Sequence, residues 1–259
     1  MTAIILAAGR GGRLRGVAGD KPKCLIRIGD CTLLERQIRT LRACGVTQIA
    51  VAAGYGIQDV QRIGGPGIHI VHNEQYASTN SLYSLWLART LMPGGCVILN
   101  GDVLFHPQLL VDLLTARYED ALLVSSRDGN EYSTEEMKVR IRAGRVAAIS
   151  KTLTNADAEN IGIAKFGAAG VAVLVDEMRR LVSSGGVNEW LPAAFAKFCH
   201  HRPLHVVDSR GFPWIEIDFP EDYWRACSDV LPAIDATEGD RQHQWQVAAG
   251  AFGRTRHHV

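Results

Sequence analysis

"LAAGRGGRLRGVAGDKPKCL", residues 6–25, sets five glycines, three arginines and two lysines directly behind the apolar run AIILAAG of residues 3–9. A short apolar run followed at once by glycine reads as a strand that ends in a tight loop. In an open α/β sheet, ligands bind beyond the carboxyl ends of the strands, and residues 9–15 would lie there. Gly9, Gly11 and Gly12 let successive backbone N–H groups turn toward an anion, while Arg10, Arg13 and Arg15 add positive charge. The stretch is a phosphate cradle by its chemistry. No G-x-x-x-x-G-K-[ST] string occurs. GRGGRLRG comes close to a dinucleotide fingerprint, but the proline and glycines of GVAGDKPKCL would not be tolerated in the helix that must follow one.

Working outward, short apolar runs alternate with amphipathic stretches: LLERQIRTLRACG (33–45), QIAVAAGYG (48–56), IQDVQRIG (57–64) and IHIVHN (68–73). Strand, helix, strand, helix, strand is the rhythm of a Rossmann-like α/β fold, a mixed, mostly parallel sheet with helices on both faces. Leu34, Ile38 and Leu41 stand at core spacing, with Gly45 as the stop. SLYSLWLARTL (81–91) reads as a helix capped by Asn80 or Ser81. CVILNGDVLF (96–105) reads as one apolar strand, HPQLLVDLLTAR as a helix, and ALLVSS (121–126) as a strand. Residues 128–165 suggest hairpins at a mixed edge. GVAVLV (170–175) reads as another apolar segment before helices over 176–184 and 188–199, and PLHVVDS and PWIEIDFPEDYWRACSDVL close the pattern. A single domain over 1–235 is expected, with a tail over 236–259 that loses periodicity and is expected to be partly disordered.

The 259-residue chain is 47% hydrophobic and 21% charged, enough to bury a sizeable core. A formal net charge of +1 argues against nucleic acid as a partner, which needs many clustered cations, so the local cluster matters more than the total. Cys24, Cys31, Cys44, Cys96, Cys199 and Cys227 form no C-x-x-C pair, and they read as reduced thiols of a cytoplasmic protein. No apolar run approaches the ~18 residues of a membrane span. In CHHRPLH (199–205), His200 and His201 would point oppositely on a strand, which spoils a shared zinc set. Trp86 and Trp224 read as core residues on helical faces.

The string L-A-A-G-x-G-x-R-L followed by D-K-P-K-C-L resembles the signature of the GT-A-like nucleotidyltransferases, of nucleotide-diphospho-sugar transferase type, which activate sugar phosphates, methylerythritol phosphate, phosphocholine and phosphonates. The resemblance implies that Leu6, Ala7, Ala8, Gly9, Arg10, Gly11 and Gly12 wrap a nucleoside triphosphate. It also implies that Lys23 sits on the α-phosphate, with Arg13 and Lys21 as further cations and Lys23 and Arg13 as the catalytic pair. Gly54 and Tyr55, in the similar second segment, would lie near the nucleotide. "NGDVLF" and "WIEIDFPEDYWRA" resemble the two metal-binding segments, which implies Asp102, Asp218 and Glu216 as Mg²⁺ ligands. Two aspartates, triphosphate oxygens and water are a suitable set for Mg²⁺. The implied reaction is in-line attack by an ionised acceptor on the α-phosphorus, without a general base.

"HNEQYASTNSLYSLWLAR" (72–89) resembles cytidylyltransferases acting on phosphocholine and small phosphonates. CTP is therefore the expected nucleotide, its cytosine read by backbone groups near Ala7, Ala8 and Gly54. Asn80 and Ser81 are candidates for holding the acceptor or the ribose, and Lys138 and Lys151 for gripping the acceptor's oxyanion. A choline headgroup would want an aromatic cage, for which Trp190, Trp214 and Tyr132 exist. An aminoalkyl group would need a carboxylate, from Asp128, Glu131, Glu135 or Glu136. The reading favours a small phosphonate such as 2-aminoethylphosphonate over phosphocholine. A sugar- or inositol-phosphate nucleotidylyltransferase is one rival, and a non-catalytic nucleotide-binding regulatory subunit is another; a homodimer is compatible with each.

Overall fold

The computed structural model describes residues 1–65, 67–127 and 132–237. Strand β1 (Thr2–Ala7) runs into the Gly-Arg loop, followed by the single helical turn α1 (Arg15–Ala18) and the small hairpin β2 (Arg27–Ile28) and β3 (Cys31–Thr32). Helix α2 (Leu33–Ala43) starts at a capping box, in which the Glu35 amide donates to Thr32 Oγ1 and the Thr32 amide donates to Glu35 Oε2. Then come β4 (Ile49–Ala53), α3 (Ile57–Gly64), β5 (Ile68–His72), α4 (Ser81–Ala88), β6 (Cys96–Asn100), β7 (Val103–Phe105), α5 (Pro107–Thr115) and β8 (Ala121–Ser125). The chain continues through β9 (Lys138–Arg142), β10 (Arg145–Ser150), β11 (Ala158–Phe166), α6 (Ala168–Ser183), α7 (Pro192–Phe198), β12 (His205–Asp208), β13 (Trp214–Glu216) and α8 (Pro220–Arg225).

Nine of these strands form one sheet in the order β5-β4-β1-β6-β11-β8-β12-β10-β9. β1, β4, β5 and β6 are mutually parallel, so the loop after β1 and the turn after β6 open at the same edge. Side-chain alternation divides the core between the two faces of the sheet. Ala3 and Ile5 pack with α2, α3 and α5, whereas Ile4 packs with α4, α6 and α7. Among the described residues no helix is long and apolar enough to cross a membrane.

The structure corrects several sequence expectations. The run at 96–105 is not one strand: β6 ends at Asn100, and β7 leaves to pair with β13 in a separate two-stranded sheet. The apolar segment GVAVLV, given no element by its sequence, lies within α6, where Val171, Leu174 and Met178 are buried at helical spacing. The described strands of 128–165 do not form an edge: β11 inserts antiparallel between β6 and β8, and β9 of the β9–β10 hairpin pairs with β11 as well as with β10. Trp224 is 60% exposed, since α8 buries none of its six residues. His200 and His201 lie in the turn after α7 rather than on a strand, with His201 Nε2 3.1 Å from Glu177. The tail from 238 onward lies outside the described residues.

Candidate active site

The parallel edge of the sheet opens into a cleft of about 360 Å³. Its floor is built from two distant segments. β7 and β13 pair antiparallel, Val103 opposite Glu216, and the Ile217 amide donates to the Asp102 carbonyl at 3.0 Å. This stitching brings Asp102 and Asp218 together. The Asp218 and Phe219 amides donate to Asp222 Oδ2 at 3.0 and 2.9 Å, fixing the start of α8; the sequence reading missed Asp222, although an aspartate in a first helical turn is a capping signal.

Lys23 closes the arrangement. Its Nζ donates to Asp102 Oδ2 at 2.8 Å and also to Asp218 Oδ1. Burial alone would lower the Lys23 pKa, but the charges and hydrogen bonds of the two aspartates outweigh burial and raise it above the ordinary lysine value. Gly11 has φ +66°, and a Cβ there would lie 2.8 Å from Lys23 Cβ. The loop can therefore sit directly on the lysine stem only with glycine at this position.

The donor chemistry suits a hard divalent cation. Asp102 Oδ1 is buried without a hydrogen-bond partner, and the carboxylates of Asp102 and Asp218 already meet at one cationic point. Among the described residues no group of three or more His, Cys, Asp or Glu could hold a metal ion by itself. Glu216 accordingly does not complete such a group. Its Oε1 accepts from Asn100 Nδ2 at 3.4 Å, and burial, helped by the charges of Asp102 and Asp218, pushes its carboxyl up to about 8. Two oxygen ligands are what Mg²⁺ needs when phosphate oxygens and waters supply the rest.

Of the loop residues, Leu6, Ala8, Gly9, Gly11, Gly12 and Arg13 line the cleft. Arg10 does not; its guanidinium lies 5.0 Å over the Tyr55 ring. Ala7 is buried, and the Ala8 carbonyl accepts the Tyr55 amide at 3.1 Å. Gly54 is not open for a base, because Tyr76 fills the space a Cβ would take, with Tyr76 Cβ 2.4 Å from it. Gly54 and Tyr55 thus brace the loop from behind, and of the two tyrosines in edge-on contact it is Tyr76 that lines the cleft.

Asn80 caps α4, its Oδ1 accepting from the Ser81 amide at 2.8 Å, and Ser81 Oγ accepts from the Leu191 amide at 2.9 Å; both residues line the cleft as well. Buried Asn73 braces this wall through Thr79 and Ser84. Lys138 is corrected: it is buried outside the cleft, and its Nζ donates to the Lys151 carbonyl at 2.7 Å. Lys151 does line the cleft, with Nζ 5.0 Å from the Trp190 ring centroid and 3.7 Å from Glu135 Oε2. Arg13 lies 3.8 Å from the same Glu135 oxygen. Glu136 pairs with Arg127 outside the cleft, Tyr132 lies beneath Arg127, and Trp214 packs on the core, so none of these three lines the cleft. Asp128 and Glu131 lie outside the described residues. Sequence reading also missed Asn100, Asn160 and Gly162 on the cleft wall.

A Gly-Arg loop, one lysine and two converging aspartates at the carboxyl edge of such a sheet define a nucleotidyltransferase. More particularly, the chain belongs to the MobA-like NTP transferase domain family, whose pattern matches residues 3–243. Its relatives include the choline-phosphate cytidylyltransferase of Streptococcus pneumoniae, 31% identical over 89% of this chain and 98% of that one. The bifunctional IPC transferase and DIPP synthase of Rubrobacter xylanophilus is 30% identical over 85% of this chain, which spans about half of that protein's length. Among solved structures, the inositol-1-phosphate CTP transferase of T. maritima superposes with a TM-score of 0.76 at 24% identity, covering 90% of this chain and 94% of that one, and shares its fold. The enzyme is a nucleotidyltransferase with cytidylyltransferases among its relatives.

Proposed function

We propose that this enzyme joins the CMP moiety of CTP to a small phosphonate or phospho-alcohol and releases pyrophosphate, acting as one domain over residues 1–235. The observation that carries this reading is the Lys23 ammonium held between Asp102 and Asp218 beneath the glycine loop. An oxyanion of the acceptor attacks the α-phosphorus, and the bond to the bridging oxygen of the leaving pyrophosphate breaks. The acceptor is already ionised, so no proton has to be removed. Lys23 neutralises charge as it builds on the α-phosphate, and Arg13 with the loop amides holds the outer phosphates. Asp102 and Asp218 would hold Mg²⁺, which would supply charge neutralisation on the triphosphate.

The acceptor reading rests on Lys151. Its ammonium already covers the Trp190 face that a trimethylammonium group would need, and Lys151 would repel that group as a like charge. Lys151 is suited instead to a phosphonate oxyanion, and Glu135 beside it to an amine. With CTP as donor, 2-aminoethylphosphonate and 2-hydroxyethylphosphonate are expected to exceed phosphocholine in kcat/KM by about tenfold or more, the worth of one ionic contact in a partly dry site. Lys151→Met should abolish most of that margin. A faster reaction with phosphocholine would overturn the acceptor reading. A second reading, an inositol-phosphate acceptor, draws on the amide-rich wall of Asn80, Asn100 and Asn160 and on the Rubrobacter relative; preference for inositol-1-phosphate in the same panel would establish it.

A further inference from the structure

We infer that Gln37, on α2, is the positioning residue that aims Asp102 into the cleft; the inference rests on the reading of Asp102 as a cation-binding carboxylate. Gln37 is 2% exposed and lies in the apolar stripe of α2 with Leu34, Ile38 and Leu41. From there its Nε2 donates to two carbonyls at once, that of Asn100 at 2.9 Å and that of Val103 at 2.9 Å. Those two carbonyls flank Gly101 and Asp102, the two residues between β6 and β7. One amide therefore clamps both ends of the turn that carries the aspartate.

The rest of the turn is held in the same way. The Gly101 amide donates to the Leu6 carbonyl at 2.9 Å, and a Cβ at position 101 would lie 2.8 Å from that oxygen. The Asp102 carbonyl takes the Ile217 amide. With its backbone fixed on three sides, Asp102 presents Oδ2 to Lys23 and leaves Oδ1 unpartnered. Gln37 is not explained by filling space. Its Oε1 is buried with no partner, a cost that Leu or Met at this core position would not incur. Reversing the amide would set Oε1 against two carbonyl oxygens, so the donor role is the one the site permits. Neighbours that orient metal ligands in this way typically carry much of the affinity of the site.

The test is Mn²⁺ titration of the full chain with CTP and no acceptor, read by electron paramagnetic resonance, alongside thermal unfolding and steady-state kinetics. Gln37→Met, which keeps the volume and loses the donor, is expected to unfold cooperatively yet bind Mn²⁺ about tenfold or more weakly, with kcat lowered and the acceptor KM little changed. Gln37→Leu, apolar like its neighbours Leu34, Ile38 and Leu41 and without a donor at any pH, is expected to do the same and decides the question if Gln37→Met does not fold. Wild-type Mn²⁺ affinity in the folded variant, while Asp102→Asn loses binding, overturns the clamp alone. Wild-type affinity in Asp102→Asn overturns the carboxylate reading beneath it.

Discussion

Lys23→Ala is expected to lower kcat by about two to three orders of magnitude, the loss typical when one preorganised electrostatic contact to a developing charge is removed. The lysine is the point on which the site converges, since its ammonium reaches both aspartates and its stem lies under Gly11. Removing it leaves two carboxylates facing each other without a counter-charge. Both are partly solvated, with side chains 24% and 36% exposed, so water and salt screen their repulsion and the fold survives. The variant should therefore melt cooperatively and gain more thermal stability from Mg²⁺ than the wild type does. Turnover above about a tenth of wild type would show that Lys23 does not act on the transferred phosphate.

Asp102→Asn and Asp218→Asn are expected to raise the Mg²⁺ concentration for half-maximal rate by about tenfold or more, because each would remove a full charge from the proposed two-carboxylate cation site. The two should not be equal. Asp102 is the more enclosed carboxylate and has an unpartnered buried oxygen, whereas Asp218 stands nearer to water. A charge is worth more where the surroundings are drier, so Asp102→Asn should show the larger shift. Asparagine keeps the shape of each side chain, so both variants should unfold with wild-type cooperativity. A wild-type Mg²⁺ response in either variant would remove that residue from the cation site.

The half of the site contributed by residues 6–25 was legible in the sequence because one continuous segment carries its chemistry. Glycines, arginines and Lys23 follow a recognisable strand, and the structure places the loop at the parallel edge as expected. The two aspartates were legible as segments, but not the device that joins them. The run CVILNGDVLF is apolar on both sides of Gly101, so nothing in its periodicity shows that β6 ends and β7 departs to meet β13. Lys138 and Lys151 were indistinguishable, because which lysine faces the cleft depends on the register of β9 against β10 and on the turn that follows. Gly54 looked like an opening for a base, yet its missing side chain accommodates Tyr76, 22 positions further along the chain. Gln37 carried no signal at all, since its two acceptors lie 63 and 66 residues away.

The central claim, transfer of a cytidylyl group, is tested most directly by kcat/KM for CTP, UTP, ATP and GTP with one accepted phosphonate, followed by pyrophosphate release. In a cleft that encloses the base, a nucleobase with the wrong donor pattern would leave polar atoms unpaired. CTP is expected to exceed UTP by about two orders of magnitude, the size of discrimination that one mismatched buried polar contact supports, and to exceed both purine nucleotides. Preference for UTP, ATP or GTP, or no pyrophosphate from any of the four, would contradict the account.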